Sequence, residues 1–171
     1  SADGLRGFDR VLPLLVWSYH LDHARWLRAC ATWVEAGLPM SNPAATLAWN
    51  TDKRYLADLA ARGVAIPHTL WTAQLTRALL EQAFEETGAG ELIVKPSVSG
   101  GAWRTLRVSR DDIDDAVAAV SAGGAADGGG GMMVQPFLPA IASEGETSLL
   151  YFGGRLSHAV NKRPVPGDFR V

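Results

Sequence analysis

The sequence has little excess charge, a single cysteine and no long apolar run. It contains 16 Lys or Arg and 18 Asp or Glu among 171 residues, for a formal net charge of −2. This balance provides no basic field for nucleic acid and no polybasic run for a membrane surface. The longest apolar runs, such as the one within residues 11–17, are too short to span a bilayer. Cys30 alone cannot form a disulfide within the chain, so we expect a reducing compartment and a cytoplasmic protein.

The sequence also lacks the common nucleotide and metal fingerprints. There is no G-x-x-x-x-G-K-[ST] and no G-x-G-x-x-G between a strand and a helix. The glycine run 128–131 follows a predicted helix, so we expect a hinge or surface loop there and not a phosphate-binding turn. His20 and His23 are close in sequence but have no third ligand nearby, which favours solvated residues at a helix start over a metal site. Cys30 lies in a helical apolar pattern that favours a buried residue over a nucleophile.

Helical and strand patterns alternate along the chain, and 47% of the residues are hydrophobic, which is enough for a core. This alternation predicts an α/β or α+β fold. The predicted helices are 23–37, 44–50, 51–63, 72–90 and 109–124. The predicted strands are a buried strand at 10–17, then 91–96, 104–108 and 132–139, and a hairpin of 147–152 and 155–164 around Gly153 and Gly154.

Polar residues predict where three of these helices begin. Thr51 and Thr72 are the expected N-caps of the helices at 51–63 and 72–90. Ser109 stands three residues before Asp112, which resembles a capping box with Asp in place of Glu or Gln. The expected apolar face of helix 72–90 is made of Leu75, Leu79, Leu80 and Phe84.

The stretch 92–108 raises the first question of chemistry. Lys95 lies at the end of a predicted buried strand, where a lysine is costly unless something negative meets it. The Ser/Gly-rich loop 97–103 follows, and its backbone N–H groups could close over phosphates beside the lysine charge. Taken alone, the loop favours a plain hairpin whose lysine extends to solvent. Lys53 lies just inside a predicted helix start, where a cation opposes the helix dipole or is merely exposed.

Residues 135–146 suggest a nucleotide contact of a different kind. An extended connector with Pro136 and Pro139 follows a strand, and its backbone groups could read a base edge. Glu144 and Glu146 come next and suit ribose hydroxyls. The alternative is a linker between lobes with solvated acids.

The last strand carries a group of polar and basic residues. In a regular strand Asn161 and Arg163 share one face and Lys162 points to the other. Arg163 and Arg170 suit bidentate capture of a carboxylate or a phosphate. The alternative is an edge strand protected by its charges.

In this order the segments resemble the ATP-grasp superfamily, in particular the branch of glutathione synthetase and the cycloserine-forming ligase. The resemblance is strongest over residues 50–69, 92–108 and 134–171. It implies the tail of a Rossmann-like N-terminal domain at 1–48, a small ATP-binding lobe at 49–134, and the hinge and opening hairpin of a large lobe at 135–171.

The resemblance also implies roles for individual residues. Lys53 and Lys95 would contact the α/β-phosphates and the adenine edge, while the 97–103 loop, with Ser97, Ser99, Gly100 and Gly101, would cover the β/γ-phosphates. The hinge that reads adenine would be Gln135, Pro136, Phe137 and Leu138. Glu144 or Glu146 would bind ribose, and Lys162 would join the nucleotide site. Arg163 and Arg170 would be the catalytic cations that grip an acyl phosphate or the substrate carboxylate.

The implied function is an ATP-dependent ligase that activates a carboxylate as an acyl phosphate for attack by an amine, with an amino-acid derivative as substrate. In this family an Asp and a Glu-x-Asn pair hold Mg²⁺, and they would lie downstream of Val171. We therefore expect an internal piece that carries the ATP lobe and binds no metal by itself. The expected partners are ATP and a small carboxylate, without nucleic acid or membrane, and a homodimer could form through the exposed hairpin. The alternatives are a non-catalytic ATP-binding regulatory module and a scaffold without a nucleotide site.

Overall fold

The computed structural model describes residues 2–14, 16–123 and 131–165. The chain forms two compact units, Ser1–Pro136 and Phe137–Val171, which are described separately. Both helices and antiparallel sheets are present, as the sequence predicted. Among the described residues, no helix is both long enough and apolar enough to cross a membrane. The domain boundaries predicted at residues 48 and 134 stay predictions.

The α-helices of the first unit are α1 (His23–Glu35), α2 (Ala44–Asn50), α3 (Tyr55–Ala61), α4 (Arg77–Thr87) and α5 (Ile113–Ala122). Its strands are β1 (Leu70–Thr72), β2 (Leu92–Pro96), β3 (Leu106–Val108) and β4 (Met132–Pro136). Short 3₁₀ helices cover Asp3–Leu5, Tyr19–Leu21 and Arg110–Asp112. The second unit contains α6 (Ala140–Ser143), β5 (Glu146–Phe152) and β6 (Arg155–Lys162).

The four strands of the first unit form one antiparallel sheet in the order β1-β4-β2-β3. Leu92 and Val94 of β2 are fully buried in a core that α4 and α5 share with one face of the sheet. Lys95 points to the opposite face because side chains alternate along a strand. Directly paired residues share a face, so Trp71 and Met133 accompany Lys95 there. The sheet therefore has one face under helices and a second face that carries Lys95.

The core of the first unit depends on α4. Leu80 and Phe84 are fully buried, and Leu75 is almost so, as the apolar pattern predicted. Thr76 caps α4, since its hydroxyl accepts a hydrogen bond from Leu79 N at 3.2 Å. The prediction that Thr72 is this cap is wrong, because Thr72 instead ends β1, which pairs with β4.

Two further predictions about local structure need correction. Thr51 does not begin α3, because it follows the end of α2 and its hydroxyl donates to Ala48 O at 2.7 Å. The predicted buried strand at 10–17 is reduced to a single parallel bridge between Val11 and Met40. Pro13 has no N–H for a ladder, and Leu14 is 72% exposed. The capping box of Ser109 and Asp112 is confirmed, although it opens a 3₁₀ turn before α5.

The second unit is built on the predicted hairpin. β5 and β6 pair in antiparallel register from Glu146 opposite Lys162 to Phe152 opposite Arg155, around the turn of Gly153 and Gly154. Both glycines have positive φ, of 57° and 76°, which the turn requires. Several apolar side chains of the hairpin are exposed, namely Leu149, Tyr151, Phe152, Leu156 and Val160.

Candidate functional site

The loop 97–103, called here the glycine loop, is anchored where it leaves the sheet. Ser97 is fully buried, and its N–H donates to Gly131 O at 2.9 Å. Its carbonyl accepts from Lys53 N at 2.8 Å, and Trp103 N donates to Gly100 O at 3.1 Å. The N–H groups of Ser97 and Trp103 are therefore already used within the first unit. The N–H groups of Gly100 and Gly101 make no hydrogen bond to another described residue.

Lys53 lies in the turn between α2 and α3 and not inside a helix start, which corrects the sequence prediction. Its ammonium group donates to Ser99 O at 2.7 Å and to Ser99 Oγ at 2.9 Å. The side chain thus reaches from the turn to the middle of the glycine loop. The cation is held by neutral oxygens, and no ion pair to a carboxylate is recorded for it within the described chain.

Burial and, to a smaller extent, the nearby charge of Lys95 together lower the pKa of Lys53 from 10.5 to about 8, while Asp52 opposes the change. Two lysines from distant parts of the sequence therefore face the same space. Two like charges at short range repel each other, and an anion that binds near them would relieve this repulsion. This electrostatic arrangement is therefore compatible with an anion site.

The hinge prediction concerns residues that lie on either side of the boundary between the two units. Gln135 belongs to β4 and shares the lysine-bearing face of the sheet, and its amide donates to Thr69 Oγ1 at 2.9 Å. Pro136 ends β4 and the first unit. Phe137 is buried, whereas Leu138 is 43% exposed. Contact of these four residues with adenine stays a prediction.

Within the second unit, the structure brings several predicted residues together. Lys162 pairs with Glu146 at 2.5 Å across the hairpin. Asn161 donates to Glu144 O at 3.0 Å and accepts from Arg163 Nε at 3.1 Å, so Asn161 contacts Arg163, which lies just after the end of β6. The connector before them is not extended throughout, because α6 occupies Ala140–Ser143. Pro139 directly precedes this helix, and its φ of −58° is compatible with a helix start.

Two predicted features lie outside the described residues: Arg170 and most of the glycine run at 128–131, of which only Gly131 is described. Gly131 has φ +78°, and a Cβ there would lie 2.6 Å from Thr72 O. Its predicted role as part of a hinge or surface loop stays untested. No group of three His, Cys, Asp or Glu that could hold a metal occurs in the described ranges, so we assign no magnesium ligand there.

Sequence reasoning missed the residues that pack on the glycine loop. Tyr19 OH donates to Ser99 O at 3.1 Å, so Ser99 O accepts from both Tyr19 and Lys53. His20 and His23 are buried, each 8% exposed, which corrects the prediction of solvated histidines. His23 Nε2 lies 3.0 Å from Thr51 Oγ1. One sequence feature could have indicated this packing. Trp17 and Tyr19 are two aromatic residues close together, which is typical of a segment that packs against another part of the chain.

A pocket of about 740 Å³ lies elsewhere in the first unit, beside β2, β4 and the end of α5. Among the residues that line it are Arg54, Leu75, Arg104, Val120 and Met132, but neither Lys53 nor Lys95. Arg104 lies with its guanidinium carbon 4.4 Å from the centre of the Trp103 ring. Both places carry two cations, since Arg54 and Arg104 line the pocket, so charge alone does not decide between them. We favour the lysine-bearing face because the Lys53 ammonium is hydrogen-bonded to the glycine loop there.

Comparisons of sequence and of structure find the same relative of this chain. The chain is 30% identical over 158 residues to the cycloserine biosynthesis protein DcsG of Streptomyces lavendulae, a match that covers 91% of this chain and 52% of that protein. It superposes on the crystal structure of D-cycloserine synthetase DcsG with a TM-score of 0.77 at 29% identity, again over 91% and 52% of the two chains. The chain therefore spans about half the length of these relatives.

A second solved structure shares the fold. The RimK domain ATP-grasp protein of Sphaerobacter thermophilus matches with a TM-score of 0.65 at 21% identity, over 84% of this chain and 54% of that one. At this identity the similarity concerns the fold alone. A scan against protein-family models found no match.

Proposed function

The chain is homologous to the cycloserine biosynthesis protein and shares the fold of the ATP-grasp ligases, and from this premise we propose that it is the nucleotide-binding part of an ATP-dependent ligase. The observation that carries the proposal is the convergence of Lys53, Lys95 and the glycine loop. The two cations would meet the phosphates of ATP, and the N–H groups of Gly100 and Gly101 would donate to phosphate oxygens.

The remaining contacts follow the resemblance. The segment 135–138 would read adenine through its backbone, and Glu144 or Glu146 would bind ribose. Glu146 is paired with Lys162, so a ribose contact from Glu146 would have to coexist with that ion pair or replace it. Arg163 and Arg170 would hold the substrate carboxylate or the acyl phosphate formed from it.

The proposed reaction has two steps. A carboxylate oxygen of the substrate attacks the γ-phosphorus, the bond to the β,γ-bridging oxygen breaks, and ADP leaves. An amine then attacks the carbonyl carbon of the acyl phosphate, phosphate leaves, and the amine gives up a proton. Lys53 and Lys95 would neutralise phosphate charge, and positioning would supply most of the rate. Mg²⁺, when bound, would neutralise charge on the phosphates, with ligands outside the described residues.

The substrate class follows from the name of the relative. Because the matched protein takes part in cycloserine biosynthesis, we propose an amino-acid derivative as the carboxylate substrate, with ring closure when its own amine is the nucleophile. A cytoplasmic location and a homodimer remain predictions from the sequence.

The test is calorimetry of Mg-ATP binding, on this chain and on the full-length protein that contains it. Lys95→Ala should weaken binding about tenfold or more, because a phosphate contact of a charged group contributes on the order of 1.5–3 kcal/mol. Arg28→Ala is the matched control, since Arg28 is an exposed cation on α1.

Three outcomes separate the alternatives. Binding together with ADP release that depends on an amino-acid substrate supports the ligase. Binding without turnover by the full-length protein favours a regulatory nucleotide module. If Lys95→Ala binds Mg-ATP with unchanged affinity, the assignment of Lys95 to the phosphates is wrong. If neither this chain nor the full-length protein binds Mg-ATP, a scaffold without a nucleotide site is favoured.

A further inference from the structure

The turn before α1 lies against the glycine loop. Its three residues, Tyr19–Leu21, form a single 3₁₀ turn after Ser18, whose φ of 65° is left-handed. Tyr19 OH holds Ser99 O, and the ring of His20 lies 5.2 Å from that of Trp103, centre to centre. The turn therefore contacts the loop at two points, on either side of Gly100 and Gly101.

His20 is the residue of this turn that needs explanation. Its side chain is buried at 8% exposure, and its Nδ1 has no hydrogen-bond partner among the described residues. A buried polar atom without a partner costs on the order of 1–3 kcal/mol, and native proteins retain few of them. The unpaired Nδ1 of His20 therefore needs a specific explanation.

The position of Nδ1 shows where a partner would be. A Cβ built on Gly100 would lie 3.3 Å from Nδ1, which is closer than most Cβ contacts. Gly100 does not have a positive φ, so its backbone does not require glycine. The absence of a side chain instead lets the imidazole pack directly against the loop at Gly100. Nδ1 therefore lies beside the part of the loop whose N–H groups would meet a phosphate.

We propose that His20 Nδ1 donates a hydrogen bond to an oxygen of the terminal phosphoryl group held by the glycine loop. This inference rests on the proposed function, since it requires a nucleotide at the loop. With its proton on Nδ1, the ring gives one directed hydrogen bond, in contrast to the point charges of Lys53 and Lys95. His20 thereby discriminates a nucleoside triphosphate from a diphosphate.

The experiment measures the Kd of the full-length protein for a non-hydrolysable ATP analogue and for ADP, both with Mg²⁺. His20→Phe keeps an aromatic ring and removes both nitrogens. His20→Asn places an amide near the position of Nδ1, whereas His20→Gln places it nearer that of Nε2. Trp26→Phe is the control, because Trp26 Nε1 is also buried and has no hydrogen-bond partner among the described residues, but lies on α1.

We expect His20→Phe and His20→Gln to lose about tenfold in affinity for the analogue, as one hydrogen bond to a charged group predicts. The affinity for ADP should change less than about twofold, and His20→Asn should restore much of the preference. Trp26→Phe should leave the preference for the analogue over ADP unchanged.

Two results would overturn the assignment. Equal losses for the analogue and ADP would mean that His20 only supports the fold of the loop. Unchanged affinities for both would mean that Nδ1 meets a water molecule or nothing. If His20→Phe does not fold, the affinities of His20→Asn and His20→Gln for the analogue still test the assignment of Nδ1. If the unmodified protein binds neither nucleotide, it is the proposed function that fails.

Discussion

Replacing Lys53 by Met should change how the stability of the protein depends on pH. The structure places the Lys53 ammonium in a half-buried position beside the charge of Lys95, and the pKa of Lys53 falls from 10.5 to about 8. At about 1.4 kcal/mol for each tenfold change in proton affinity, this fall corresponds to about 3 kcal/mol. Solvent reaches part of the side chain, so we discount the figure to about 1–2 kcal/mol.

The direction in which stability changes with pH follows from the number of protons bound by the folded and the unfolded chain. Below pH 8 Lys53 is charged in both the folded and the unfolded chain, and the full destabilisation is present. Between about pH 8 and 10.5 the unfolded chain binds a proton that the folded chain does not, so stability rises with pH. The unmodified protein should therefore gain about 1–2 kcal/mol relative to Lys53→Met as the pH rises from 7 to 10.

The assay is urea unfolding of both proteins at pH 7, 8.5 and 10. Loss of the hydrogen bonds to Ser99 affects Lys53→Met at every pH, so only the change with pH is diagnostic. Burial raises the pKa of Cys30 in both proteins, and its effect cancels. Arg28→Met, which removes an exposed cation, should follow the unmodified protein at all three pH values. Parallel curves for Lys53→Met and the unmodified protein would refute the account of Lys53 as a destabilised cation.

Two further predictions concern stability. Leu80→Ala should lower the free energy of unfolding, measured in urea, by about 2–5 kcal/mol because Leu80 is fully buried. Leu149→Ala, at an exposed hairpin position, should change it by less than about 0.5 kcal/mol. Similar effects of the two substitutions would show that the core is misplaced. Gly145→Ala should accelerate amide hydrogen exchange in the β5–β6 hairpin far more than Gly153→Ala. A Cβ at Gly145 would clash with Lys162 O, whereas a Cβ at Gly153 meets nothing within 4 Å. Equal exchange rates in the two variants would contradict the register of the hairpin.

The sequence predicted the elements of the sheet better than the ends of the helices. The β-rich run of β2, the capping box at Ser109 and the Gly153–Gly154 turn are local signals, and the structure contains all three. Thr72 and Thr76 are equally good caps by type, and the choice depends on the pairing of β1 with β4. That pairing joins segments about 60 residues apart, which no local pattern reveals.

Local sequence patterns were also insufficient to predict which distant residues meet at the candidate site. The sequence singled out Lys95 as a lysine on a buried strand, and its role stays a prediction. Its proximity to Lys53 was implied only by the resemblance. The burial of His20 and His23 was missed because a histidine pair gives the same sequence signal on a surface and under a loop. Their burial depends on the packing of the Tyr19–Leu21 turn against the glycine loop, which is a tertiary contact.

The most direct test of the central claim is a crystal structure of the full-length protein with Mg²⁺ and a non-hydrolysable ATP analogue. The account predicts the phosphates between Lys53, Lys95 and the N–H groups of Gly100 and Gly101, on the sheet face opposite α4 and α5. A nucleotide bound instead in the pocket lined by Arg54 and Arg104 would contradict it.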